Sequence, residues 1–184
     1  MRKRHKGQSL VEMAFVGPIL IFIFFGIIDM SYYIFAYTTI IQAARNGADK
    51  AAILPPYQSW LYNPPSTGGV TVASDDCVST ILTVVDDTAF MLPGNMRNFT
   101  TISYPTGSTT VDRRNSVDRG PIQIDINYNL NTLTPIFKLF RIGTNGTLNI
   151  HVSARRSIES FGKQPDSNGD ACAKNLADWQ LKHP

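Results

Sequence analysis

From Met13 to Ile28 the chain carries no charged residue, and Leu10 and Val11 extend this apolar run past the single carboxylate of Glu12. Apolar side chains fall at every angle around a helix here, not on one stripe. That suits a helix bathed in lipid better than one packed against a soluble core. At 1.5 Å per residue, Leu10 to Ile28 spans about 28 Å, close to the thickness of a bilayer's hydrocarbon. A transmembrane helix over about residues 10–29, closed by Asp29, is therefore expected. Inside it, Pro18 removes one backbone donor and should bend or loosen the helix, while Gly17 and Gly26 permit another helix to approach closely.

Past Asp29 the pattern becomes amphipathic, with Tyr32, Tyr33, Phe35 and Tyr37 suited to a membrane–water interface. Small residues then recur at 43, 47 and 51 and at 44, 48 and 52. The stripe formed by Ala43, Gly47 and Ala51 lets another backbone pack closely, either the protein's own sheet, which is the favoured reading, or a neighbouring chain. Pro55-Pro56 ends the helix, because a residue before proline avoids the α region. One helix over 8–54 follows.

Beyond the aromatic, proline-rich loop at 57–69, Ser74 is a reasonable helix cap, with Asp75 and Asp76 in the first turn. Val78, Ile81, Leu82, Val85 and Ala89 repeat at helical spacing up to Pro93-Gly94. The acid pairs Asp75-Asp76 and Asp86-Asp87 are read as solvated, since adjacent residues on a helix face different ways and make a poor metal site. The period then changes to two. A short strand is expected over 98–104. Ile122, Ile124, Ile126, Tyr128 and Leu130 alternate with polar residues, as do Leu148, Ile150, Val152 and Ala154. The apolar segment 133–140 between them is a short helix or a loop, and Gly143-Thr144-Asn145-Gly146 supplies a turn. The fold class is α+β: a long N-terminal helix, then a small domain over 55–184 with a second helix packed on about three antiparallel strands.

Charge fixes the expected direction of insertion. Arg2, Lys3, Arg4 and Lys6 precede the apolar run and the next basic residue is Arg45, so the N-terminus stays in the cytoplasm and the rest is exported. A cleaved secretory signal competes with this reading. Against it, no small-x-small site follows Ile28, and Glu12 lies within the apolar segment. The net charge of +3 rests largely on the basic leader, and no aromatic-interleaved basic patch is present, so nucleic acid is not an expected partner. The two cysteines, Cys77 and Cys172, form a disulfide by default in an oxidising compartment, or else are two buried thiols. Closing a loop of about 95 residues would contribute up to roughly 4–5 kcal/mol on the chain-entropy model.

Glu12 is the informative residue. A carboxylate near the centre of a membrane helix costs on the order of 3 kcal/mol, less near an interface, where it reaches water. Cleavage after Gly7 would make Gln8 the first residue, with a new α-amino group able to pair with a neighbouring subunit's Glu12. The run Gly7-Gln8-Ser9-Leu10-Val11-Glu12, with its basic leader and apolar helix, resembles a type IV prepilin processing site. GQSLVEMAFVGPIL, the later GIID and AARNGADKAA resemble, more narrowly, the TadE-like pseudopilins of the Tad (Flp) pilus system. That resemblance, strong over about residues 7–55, implies a leader (1–7) removed by a prepilin peptidase at Gly7-Gln8. It also implies a minor, structural role in assembling a surface pilus with other pilins, pseudopilins and platform proteins at the bacterial inner membrane. Flp pilins usually carry Tyr after the glutamate. Met13 and the length of 184 residues favour the pseudopilin over the major pilin.

No catalytic or phosphate-binding motif occurs, and His5, His151 and His183 are scattered, so no enzyme, cofactor or metal is expected. Two other readings stay open: an uncleaved, membrane-anchored extracytoplasmic binding module, and a subunit of another type IV pilus-like or secretion filament.

Overall fold

A computed structural model describes residues 8–56, 76–105, 121–134 and 146–159. Ser74, the loop at 57–69, most of 133–140 and the tail with Cys172 lie outside these residues, as does Gly7. The architecture is α+β. Helix α1, Gln8–Ile53, is a single 46-residue element that runs through Pro18. It ends where expected: the Leu54 amide closes the last turn on the Lys50 carbonyl (3.0 Å), and Pro55-Pro56 cannot continue it. Helix α2 spans Asp76–Thr88. Strands β1 (Thr100–Ser103), β2 (Pro121–Asn131) and β3 (Thr147–Ser157) form one sheet in the order β1-β2-β3. β1 pairs antiparallel with β2, Ile102 opposite Ile124. Side-chain pairs Asn129–Asn149 and Gln123–Arg155 keep a constant antiparallel register between β2 and β3.

Contacts gather into two compact units, residues 1–36 with 129–149, and residues 37–128 with 150–184. The second unit holds most of the core. Ile40, Ala43, Ala44, Ala48 and Ala51 of α1 are buried with Ile81 and Val85 of α2, Ile122, Ile124 and Ile126 of β2, and Ile150 of β3. Burying each of these isoleucines is worth roughly 1.5–3 kcal/mol, which makes this cluster the main stabilising element of the unit. The small-residue stripe packs inside the chain. A Cβ on Gly47 would lie 2.6 Å from Val85 Cγ2 and 3.8 Å from Ile124, so α1 closes on α2 and the sheet by having no side chain there. Two tyrosines tie connecting segments to this core through hydroxyl donation: Tyr104 to the Pro56 carbonyl (2.6 Å) and Tyr128 to the Pro93 carbonyl (2.8 Å).

Two expectations need correction. The strand expected from Asn98 begins at Thr100, because Met96–Phe99 form a 3-10 turn. Asn95 Oδ1 accepts from the Arg97 amide (3.2 Å) and Thr100 Oγ1 donates to the Met96 carbonyl (2.8 Å), side-chain bonds that compete with strand pairing. Asp86 is not a solvated acid. It accepts from the Arg97 amide (3.0 Å) and from Arg97 Nε (2.9 Å), pinning that turn to the end of α2.

Candidate functional site on the first helix

The N-terminal half of α1 presents its apolar side chains outward. Leu10 is 72% exposed and Phe15 74%, and Ile19, Ile23 and Ile27 are exposed on the same helix. In water such a surface would carry a cost of several kcal/mol, so it requires lipid or a protein partner. The helix is long and apolar enough to cross a membrane. Glu12 is exposed within this surface. Among the described residues, neither Gly17 nor Gly26 has a neighbouring atom within 4 Å of the place a Cβ would occupy. The glycines of this half are thus not spent on packing inside the chain, in contrast to Gly47, Ala43 and Ala51 further along.

The second acid of the helix behaves oppositely. Asp29, which closes the apolar run, is 4% exposed. Its Oδ1 accepts from the backbone amides of Leu133 and Thr134, both at 3.1 Å, and its Oδ2 accepts from the Thr134 hydroxyl. These are charge-assisted bonds to the segment leaving β2. Beside them, Thr132 donates through its hydroxyl to the Gly146 carbonyl (3.0 Å), and its amide does so at 3.3 Å, joining the two ends of the β2–β3 connection. Gly146 holds φ at 83°, a conformation that favours glycine. Asp29, Met30, Tyr33, Leu148 and Asn149 line a small cavity of about 250 Å³ at this level. The hydrophobic pattern by itself marks Asp29 only as the end of an apolar stretch. A lone acid directly after sixteen uncharged residues (Met13 to Ile28) was the available signal, but its acceptors' partners lie over 100 residues away.

This helix is where the chain meets known proteins. The model of the TadE-like protein family matches residues 7–49. Over this segment the chain is similar to TadE-like proteins. The match begins at the glycine before α1, takes in Glu12 and Asp29, and ends at Asp49, short of α2 and the sheet. No curated protein and no solved structure matches the chain. The matched segment thus comprises the uncovered apolar half of α1, the three acids Glu12, Asp29 and Asp49, and most of the stripe that packs into the core.

In the second unit, Asp49 of α1 and Arg156 of β3 form an exposed ion pair, and this hydrogen bond holds the Arg156 guanidinium above its ordinary value. His151 is exposed on β3. Among the described residues no group of three or more His, Cys, Asp or Glu side chains could hold a metal ion. Cys77 is fully buried beside Leu54. Its expected partner Cys172 is outside the described residues.

Proposed function

We propose that the protein is a minor pilin-like subunit needed to assemble a Tad-type surface pilus, structural in role. It is inserted once in the bacterial inner membrane, with its N-terminus in the cytoplasm and its α+β domain outside. The observation that carries this reading is the TadE-like match over 7–49 falling on a helix whose apolar half is uncovered on all sides. Lipid satisfies that surface before assembly, and helices of related subunits satisfy it afterwards. Without a hydrophobic gain between helices in lipid, association depends on close packing and on pairing of polar groups. Gly17, Gly26 and Glu12 supply these: two places for a backbone to approach, and a charge that a new α-amino group can neutralise. The basic leader and Gly7-Gln8 are the processing site of a prepilin peptidase on this reading.

N-terminal sequencing of the membrane-extracted protein tests it. Gln8 as first residue supports a processed subunit, and replacing Gly7 with a bulky residue should leave the leader attached. Glu12→Val should insert normally yet assemble poorly. An intact Met1 together with pili at wild-type level in a deletion strain would overturn the proposal and favour an uncleaved anchored module.

A further inference from the structure

Strand β3 stands at the end of the sheet, so among the described residues one of its edges has no neighbouring strand. An edge of this kind presents a row of backbone N–H and C=O groups to whatever lies beside it. A cavity of about 370 Å³ opens along β3. One wall is a row of α1 at i, i+4 and i+8, Tyr37, Ile41 and Arg45, and the other is β3 from His151 to Arg156. Six consecutive strand residues, which alternate between the two faces of the sheet, line this space, and no residue of β2 does. The cavity therefore follows the backbone edge of β3 and neither of its faces. Its length along the strand is about 20 Å, room for roughly six extended residues.

The charge of the groove is one-sided. Arg45, Arg155 and Arg156 line it, and Asp49 pairs with Arg156 only. Arg155 Nε donates to the neutral amide oxygen of Gln123, and Arg45 has no acidic partner among the described residues. Tyr37 and Ile41 add an apolar floor beside these cations.

We propose that this groove receives an extended acidic segment of another polypeptide, which pairs with β3 as a fourth strand and sets the carboxylates on its α1-facing side against Arg45. Backbone pairing supplies affinity in such strand addition, and side chains at alternate positions supply the choice of partner. A second copy of this chain is a poor occupant of the same groove, because pairing β3 with β3 would bring two sets of arginines together. The inference uses the second unit alone and does not depend on the pilus reading.

The full-length protein in zwitterionic detergent micelles is titrated with three labelled peptides and followed by fluorescence anisotropy. The probes are an alternating valine–glutamate peptide, its valine–lysine counterpart, and the valine–glutamate peptide N-methylated at every backbone nitrogen. The first should bind and slow amide exchange across 150–156. The second lacks the charge and the third lacks the strand edge, so neither should bind. Arg45→Glu should weaken the first by about tenfold, since it turns an attraction into a repulsion, and the milder Arg45→Gln should weaken it less. Equal binding of the N-methylated peptide, unchanged exchange in β3 at saturation, or no binding of the valine–glutamate peptide would each overturn the proposal.

Discussion

Replacing Asp29 with alanine should loosen the segment that leaves β2 while α1 itself stays formed. The carboxylate accepts three hydrogen bonds, two from backbone amides at 3.1 Å and one from the Thr134 hydroxyl. Leu133 is 61% exposed and can turn its amide to water, but Thr134 is 8% exposed, so its amide and hydroxyl would be stranded. Each buried donor left without an acceptor costs about 1–3 kcal/mol, which gives roughly 2–5 kcal/mol for the alanine variant. Asp29→Asn keeps one acceptor oxygen for the two amides, and its NH2 can donate to the Thr134 hydroxyl, so its cost should be about 1 kcal/mol. Amide hydrogen exchange on the full-length protein in micelles reads this locally. Exchange at Thr134 should accelerate by about a hundredfold in Asp29→Ala, because 1.4 kcal/mol corresponds to tenfold. The carboxylate and the hydroxyl should also be coupled: a double-mutant cycle of Asp29→Ala with Thr134→Val should return about 1–3 kcal/mol. Additive effects, or exchange at Thr134 unchanged in the alanine variant, would refute the idea that Asp29 acts through this segment.

Other expected outcomes follow from packing and pairing. Gly47→Ala should destabilise the protein by about 0.5–2 kcal/mol in thermal or denaturant unfolding. The clash with Val85 outweighs the gain in helix propensity, so the added cost of Gly47→Ala should shrink or vanish when it is measured in a Val85→Ala background, itself destabilised by the cavity it leaves. Gly17→Ala and Gly26→Ala meet nothing among the described residues, so they should leave the isolated protein unharmed. A loss of pilus assembly in either variant, with normal insertion, would locate an intermolecular helix contact. Asp86→Ala should cost about 1–2 kcal/mol by releasing Arg97, less in high salt because the arginine is partly exposed. Mass measurement under non-reducing conditions should find Cys77 and Cys172 joined, and two free thiols would remove that bridge from the description.

The elements of this fold were readable because each relies on a local period. The alternation from Ile122 to Leu130 specifies a strand buried on one side, and Ile122, Ile124, Ile126, Tyr128 and Leu130 are all buried. The same reasoning found α2 and the small-residue stripe, since spacing alone puts Ala43, Gly47 and Ala51 on one face. What it missed was side chains acting at a distance. Asp86 looked like half of a solvated acid pair until the turn at Met96–Phe99 brought Arg97 to it. Asp29 looked like the end of an oily run, and nothing local points to Leu133 and Thr134. The groove beside β3 is of the same kind: Arg45 and Arg155 are 110 positions apart, and only strand order makes them walls of one space.

Apolarity along α1 is nearly continuous, yet its two halves meet different surroundings, and side-chain size separates them better than hydropathy. From Leu10 to Phe35 most of the apolar residues are large, and most of those side chains stay exposed. From Ala43 to Ala52 they are alanine and glycine, and these are buried. Large side chains gain nothing from leaving lipid for another apolar surface, so they serve well where lipid is the solvent. Where water is the solvent, burial is favourable, and small side chains let the backbone of α1 come near enough for isoleucines of the sheet to fill the space. Gly17 and Gly26 break this rule by being small within the exposed apolar half, with no neighbour among the described residues to profit from it. On the pilus reading proposed above, a helix that gives up contact surface at those two points leaves room for a second helix, and substitutions there should spare the monomer and act on assembly.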